Sequence, residues 1–311
     1  MREGPSWLGI GAQRCGTTWF TDLLVQHPKM DVAGGTKEHH LLYGSGLTKP
    51  WTSEDRDHYR EIFTSEELKL GEFTPYYLRA SWIVEQTADA LPEDAPILVL
   101  VRDPIDRFAS AIRHEMAAAA RRYRKALATK EAQINGTTKV PRTTSGKVQV
   151  KKLLVRMAPD LTAKWVYGPP RKPPEAFLDN TWLRFVGSDA TWGGMFAAQL
   201  EAWTGVLPDD RFIVIQYEKL RKNPQHYADL VWERLGLKPV PLEAIERPSG
   251  SSTVTETWVP DDYPNVVRAL QEMYRPDGER LAKKFDIDLS LWKRTYSDVS
   301  DGARAAAGKR T

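Results

Sequence analysis

The chain is poor in several things at once, and each shortage removes a class of protein. Among 311 residues there is one cysteine, Cys15. A single thiol closes no internal disulfide, which excludes a disulfide-stapled scaffold and any multi-cysteine zinc site. There are only six histidines, and the one close pair, His39-His40, is adjacent in sequence. Neighbouring residues rarely chelate one ion, so no metal is expected. No apolar run approaches the roughly 20 residues that span a bilayer. The first residues, MREGPS, lead straight into WLGIG without the apolar stretch of a secretory leader. The expectation is a cytoplasmic, bacterial enzyme. Asn135-Gly-Thr matches a glycosylation sequon, which means little without secretion.

Net charge is also small, +3, yet it is unevenly spread. Residues 121–172 hold 14 Lys/Arg against 2 Asp/Glu, so the remainder is net acidic. With 41% hydrophobic and 27% charged residues the rest reads as an ordinary globular chain. A chain of this length fits one large domain or two small ones.

What is there begins with GIGAQRCGTTWF, Gly9–Phe20. It nearly spells the ATPase phosphate loop, G-x-x-x-x-G-K-[ST]. Gly11 and Gly16 hold the glycine positions and Thr18 the hydroxyl position, but Thr17 stands where the lysine belongs. The only cation inside the loop is Arg14. The apolar run Trp7–Gly11 predicts a strand before the loop. Trp19, Phe20, Leu23 and Leu24 predict a helix after it, over Thr17–His27. That is the context in which loop amides and a helix N-terminus bind an anion.

Further along, Met30–Val32 predicts a short strand and Ser81–Leu91 a helix. PILVLV, Pro96–Val101, reads as a buried parallel strand. Helices are expected from Asp106, over Trp192–Val206 and Gln225–Leu235, with a strand at Phe212–Gln216. Two C-terminal helices are expected, over 262–274 and 276–285. Residues 123–180 lose periodicity and collect Lys, Arg, Thr and Pro. Strands alternating with helices predict a three-layer α/β fold, a parallel sheet with helices on both faces.

The second chemical element is VRDPIDRFAS, Val101–Ser110. Arg102 lies at the carboxyl end of a strand, where open α/β sheets hold ligands. Ser110 lies about two helical turns on, so the two could converge on one dianion. The competing reading pairs Arg102 with Asp103 or Asp106 and leaves Ser110 as packing. PILVLV ends in Arg102 rather than an acid, which speaks against magnesium–ATP chemistry.

These two motifs resemble those of the sulfotransferase family, whose donor is 3′-phosphoadenosine 5′-phosphosulfate (PAPS). AQRCGTTW resembles its 5′-phosphosulfate loop, and LVLVRDPIDRFASAIRHE its 3′-phosphate motif, about 90 residues later and in order. TKEHHLLY, GGMFAAQLEAW, VIQYEKLRKNP and the segment LQEMYRPDGERLAKKFDIDLSLW resemble later landmarks of the glycan-type branch. The match covers about 8–118 and 190–293.

The resemblance implies a P-loop NTPase-like fold and a single sulfotransferase domain over 1–311. It implies sulfation of a hydroxyl on a carbohydrate, lipid or secondary metabolite, leaving adenosine 3′,5′-bisphosphate (PAP). No metal is implied, because the sulfuryl group arrives activated. By resemblance the loop, including Cys15, Gly16, Thr17 and Thr18, binds the 5′ end. Arg102 and Ser110 bind the 3′-phosphate. Arg14 takes the place of the lysine beside the bridging oxygen; as arginine it acts electrostatically. Trp19 matches a tryptophan that stacks on adenine in some branches, and a core aromatic reads equally well. Glu38 matches the family's base and His40 the histidine two positions on; both remain candidates, with Lys37 holding phosphosulfate or substrate. Phe73 stands where lysine is frequent, and Phe196 where tyrosine is common.

The basic insert, about 121–180, interrupts the pattern. It reads either as a solvated segment or as a lid selecting an anionic acceptor. Nucleic-acid recognition is the weaker reading, since no nucleic-acid fold signature accompanies the charge. Rival functions are a P-loop kinase and a non-catalytic nucleotide-binding protein.

Overall fold

Trp7-Leu-Gly-Ile-Gly and Ile97-Leu-Val-Leu-Val carry no polar side chain, and every residue of both runs is buried. Such strands belong in the middle of a parallel sheet covered on both faces. The computed structural model describes residues 4–43, 50–114, 187–243 and 264–297, and it places them there. The strands are β1 (Trp7–Gly11), β2 (Met30–Val32), β3 (Lys69–Phe73), β4 (Ile97–Val101) and β5 (Phe212–Gln216). They form one sheet in the order β2-β3-β1-β4-β5. All four pairings are parallel. The chain leaves β1, fills one side of it with β2 and β3, then crosses to β4 and β5 on the other. The order therefore reverses at β1, and the crevice at its carboxyl end is where such sheets bind ligands.

The helices are α1 (Thr17–Leu24), α2 (Ser53–Glu61), α3 (Val84–Ala90) and α4 (residues 104–114). Beyond the basic segment come α5 (Gly187–Trp192), α6 (Phe196–Thr204), α7 (Tyr217–Lys222), α8 (Pro224–Arg234), α9 (Pro264–Lys284) and α10 (Lys293–Tyr296). The large core joins the sheet to α1, α3, α6 and α8. A smaller one gathers Ile105, Phe108 and Ile112 of α4 with Leu270 and Tyr274 of α9.

Three helical expectations are corrected. The helix expected over Trp192–Val206 is broken at Gly193-Gly194. A side chain at Gly193 would collide with the buried Arg107 guanidinium, and one at Gly194 would press on the Tyr274 ring. The two helices expected around 262–285 are one, since α9 runs through Pro276. Proline removes one intrahelical bond, but side chains just after it are held by packing. The Asp277 carboxylate accepts the Ala197 and Ala198 N–H groups at 2.9 and 3.0 Å, capping α6. The helix expected over Thr17–His27 ends earlier, at Leu24. β3, α2 and α7 are elements the sequence pattern did not reveal.

Neighbouring strands β1 and β3 interlock by exchanging glycine for aromatic. Trp7 sits opposite Gly71, and Gly9 opposite Phe73. A methyl group on Gly9 would overlap the Phe73 ring, and one on Gly71 the Trp7 ring. Gly9→Ala should therefore cost about 1–3 kcal/mol, the usual penalty for overpacking a tight core. Urea denaturation with unchanged slope is the measurement; a wild-type midpoint would show that the Phe73 ring yields freely.

Candidate active site

The loop after β1 is held before any ligand arrives. Ala12 N–H donates to the Leu100 carbonyl at 2.8 Å, tying the loop to β4. Arg107 Nε donates to the Gln13 carbonyl at 3.0 Å, and its guanidinium also bonds the Ala190 carbonyl. Gly16 is left-handed, at φ 89°, and caps α1. A Cβ there would stand 2.6 Å from the Tyr217 ring, so glycine is required by both backbone and space. The first amides of α1 have no intrahelical acceptor, and its first turn carries no acid to offset their field. Thr17 is buried and Thr18 exposed at this helix start. Cys15 is buried, and burial pushes its thiol up to about 12, so it acts as a small packing residue rather than a nucleophile. Trp19 is buried within the large core.

The second motif meets the first. Arg14, left-handed at φ 70°, donates from Nε to Ser110 Oγ at 3.1 Å, and its guanidinium lies 3.4 Å from His114 Nδ1. Burial, then the charge of Arg102, pushes the Arg14 guanidinium below its usual value. Arg113 is lowered by burial, then by Arg102, with Arg14 contributing. Three guanidinium groups thus share one region at a cost that a dianion would relieve.

Arg102 is not paired with the acids beside it. Its guanidinium carbon lies 5.0 Å from the centre of the Tyr217 ring. Asp103 is turned away: it accepts the Ile105 N–H at 3.0 Å and, from α10, the Arg294 N–H at 2.8 Å and the Thr295 hydroxyl at 2.8 Å. Asp106 pairs with Arg294 at 2.8 Å. Behind Arg102, Glu218 accepts the Asp103 N–H at 2.9 Å. Among the described residues no carboxylate lies within ion-pair distance of Arg102. Tyr217 touches both motifs, packed against Gly16 and under Arg102.

The Lys37–His40 segment follows a turn in which Gly34 and Gly35 are left-handed. Lys37 Nζ donates to Glu38 Oε1 at 2.6 Å. It also lies 5.7 Å from the centre of the Phe73 ring. Its charge opposes the burial that raises the Asp22 carboxyl on α1, so this segment lies within electrostatic reach of that helix. The two histidines diverge. His39 turns inward, with Nε2 3.0 Å from the Ala33 carbonyl and its ring edge-on to Phe63. His40, left-handed at φ 60°, turns outward with Nε2 3.6 Å from Glu38 Oε2. Tyr76 joins the two halves of the site: its hydroxyl bonds Gln13 of the loop, and its ring lies 6.4 Å from that of His40.

The structure thus brings Arg14, Arg102 and Ser110 together and sets Glu38 between Lys37 and His40. It adds contacts of Arg107, Tyr217, Tyr76 and Arg113, to which the sequence reading gave no role. Among the described residues no three His, Cys, Asp or Glu side chains gather as a metal site. Nor is any described helix long and apolar enough to cross a membrane. The basic insert, about 121–180, lies outside the described residues.

A family model described as a sulfotransferase domain matches residues 6–249. Carbohydrate sulfotransferase 15 of Mus musculus is 28% identical over 108 residues, 33% of this chain and 19% of that protein. The Rattus norvegicus protein of the same name is 27% identical over 108 residues, with the same shares. The chain therefore spans about a fifth of the length of these curated relatives. A crystal structure of a sulfotransferase from Alicyclobacillus acidocaldarius has the same fold. It is 20% identical, with a TM-score of 0.55, over 93% of this chain and 98% of that one.

Proposed function

Because the chain belongs to the sulfotransferase domain family, we propose that it moves a sulfuryl group from PAPS to an acceptor hydroxyl, leaving PAP and a sulfate ester. One observation carries the choice of donor. Arg14 of the loop bonds Ser110 of the second motif while Arg102 stands beside them without a carboxylate partner. Two anion-binding elements that are distant in sequence are joined, which suits a nucleotide phosphorylated at both ends of its ribose. The donor supplies an activated sulfuryl group; no metal is required to activate it.

In this reading the loop amides, Thr17 and Thr18 hold the 5′ phosphosulfate, with Gly16 and Cys15 letting the backbone approach. Arg102 and Ser110 hold the 3′-phosphate. Arg14 spans both, and its fixed charge offsets charge growing on the leaving phosphate. Glu38 removes the acceptor proton, and Lys37, bonded to Glu38, adds positive charge beside the transferred group. Trp19, buried in the core, lies behind the loop rather than over an open adenine face. The acceptor is a carbohydrate, lipid or secondary metabolite, with an unsulfated glycan the first to try because the curated relatives are named for carbohydrates. Residues 1–311 form one sulfotransferase domain, with the basic insert available to cover an anionic acceptor.

Thermal unfolding with nucleotides tests the donor site. PAP at 100 times its Kd should stabilise the protein by about 2.7 kcal/mol without magnesium. AMP at the same concentration should do far less, and Mg–ATP no more than AMP. Equal shifts with PAP and AMP would remove the 3′-phosphate site.

A further inference from the structure

Glu38 is held from both sides by the end of β3. Phe73 N–H donates to the Lys37 carbonyl at 2.8 Å. His39 N–H donates to Glu72 Oε2 at 3.1 Å. The two bonds bracket Glu38 in the chain, so its backbone is fixed immediately before and after.

Glu72 is an unusual residue for that task. It has no exposed surface, and all its hydrogen-bond donors are neutral. Oε1 accepts from the Tyr59 hydroxyl at 2.8 Å and the Tyr77 hydroxyl at 3.2 Å. Oε2 accepts from Thr74 Oγ1 at 2.6 Å as well as from His39 N–H. Tyr77 oxygen in turn accepts the Leu42 N–H at 3.2 Å. A segment containing Glu38 and His40 is thereby tied at two amides to one carboxylate, directly at His39 and through Tyr77 at Leu42. An ionised carboxylate accepts about four hydrogen bonds and donates none, and here four donors converge on it. Burying a charge without a counter-ion is costly. An apolar residue in its place would leave all four donors without an acceptor.

We infer that Glu72 is a positioning residue for the reaction: its buried carboxylate, by accepting the His39 N–H and the Tyr77 hydroxyl, sets the position of the Glu38–Leu42 segment and so aims Glu38 at the acceptor. This rests on the reading of Glu38 as the base. Glu72 touches no substrate and acts only through the segment it holds.

Glu72→Gln tests it. The amide nitrogen cannot accept, so one pair of donors loses its partner. Whichever way the amide turns, a neutral oxygen holds the His39 N–H more weakly than a carboxylate does. Three quantities are measured: hydrogen exchange at the His39 and Leu42 amides, PAP affinity, and single-turnover transfer from labelled PAPS to unsulfated chondroitin. In Glu72→Gln the two amides should exchange roughly tenfold faster or more. PAP affinity should stay near wild type, and transfer should fall by about 10–100-fold, the usual scale for losing a supporting contact. Tyr59→Phe removes a donor on α2 and leaves the His39 bond intact. It should lower the melting temperature without changing exchange at His39 or transfer. Should Glu72→Gln not fold, Tyr77→Phe cuts the Leu42 link alone, and faster Leu42 exchange with slower transfer supports the assignment. Wild-type exchange in Glu72→Gln would overturn it. So would equal loss of transfer in Glu72→Gln and Tyr59→Phe, or an unchanged Tyr77→Phe where Glu72→Gln does not fold. If the wild-type protein does not sulfate chondroitin, it is the choice of acceptor that fails, and the exchange measurements still decide the role of Glu72.

Discussion

Arg102→Ala should weaken PAP binding by about 1.5–3 kcal/mol, the scale of hydrogen bonds to charged groups, or about tenfold to 150-fold in Kd. AMP binding should barely change, since AMP lacks the phosphate that Arg102 is assigned. Among the described residues no carboxylate forms an ion pair with Arg102: Asp103 is spent on α10 and Asp106 on Arg294, and the guanidinium lies over the Tyr217 ring. A second readout separates a ligand role from a structural one. Arg102 is among the charges that push the Arg14 and Arg113 guanidinium groups below their usual values. For a cationic base that direction means the charged form is disfavoured in the folded protein. Removing Arg102 relieves that strain while also withdrawing the charge that favours the buried Glu218 carboxylate, so the nucleotide-free variant should melt close to wild type. Calorimetric titration with PAP and AMP, beside thermal unfolding, decides it. Equal loss of both nucleotides, or a clearly lower melting temperature without nucleotide, would make Arg102 a structural residue.

The parts of this protein that could be read from the sequence are those whose meaning is local. β1, β4 and β5 are short apolar runs, and the loop and the Arg102–Ser110 motif are patterns of fixed spacing. β3 escaped because Lys-Leu-Gly-Glu-Phe looks like a surface turn. Its glycine makes room for Trp7, and its glutamate meets hydroxyls that come from α2 and from beyond β3. α2 escaped because only Tyr59 of its nine residues is buried, so it has no apolar stripe. The readable sign was the capping box of Thr52 and Asp55. Pro276 and Gly193-Gly194 misled in opposite directions. Proline breaks helices by rule and here is carried through by packing, while the helical spacing runs across two glycines that stand where Arg107 and Tyr274 need space. In the site, motif matching nominated Glu38, Arg102 and Ser110. It assigns Arg14 to the bridging oxygen, and the structure adds a bond from Arg14 to Ser110. Tyr217, Arg107 and Glu72 act by holding other residues, and such roles exist only once distant segments have been brought together.

Glu38→Gln separates chemistry from binding. Glutamine keeps the length and hydrogen-bonding reach of the side chain but cannot take a proton at neutral pH. The Lys37 partnership at 2.6 Å loses its charge, yet Glu38 is 35% exposed. An ion pair that open contributes about 0–1 kcal/mol, so the fold should stand. PAP affinity should stay within about threefold, because the carboxylate belongs to the acceptor side, while sulfuryl transfer should fall by roughly 10²–10⁴, the worth of a positioned base. The rival base is His40, whose ring nitrogen lies 3.6 Å from the same carboxylate and whose side chain is 46% exposed. The rivals give opposite patterns. If Glu38 is the base, His40→Ala disturbs a neighbour and costs far less than Glu38→Gln. If His40 is the base, His40→Ala causes the large loss, and Glu38→Gln, which still offers His40 a hydrogen-bond acceptor, causes the small one. Single-turnover transfer from labelled PAPS, with PAP titrations on both variants, reads the two patterns directly. Near-wild-type transfer by Glu38→Gln would move the base to His40. Loss of PAP binding in either variant would mean that the Lys37–His40 segment serves the nucleotide rather than the acceptor.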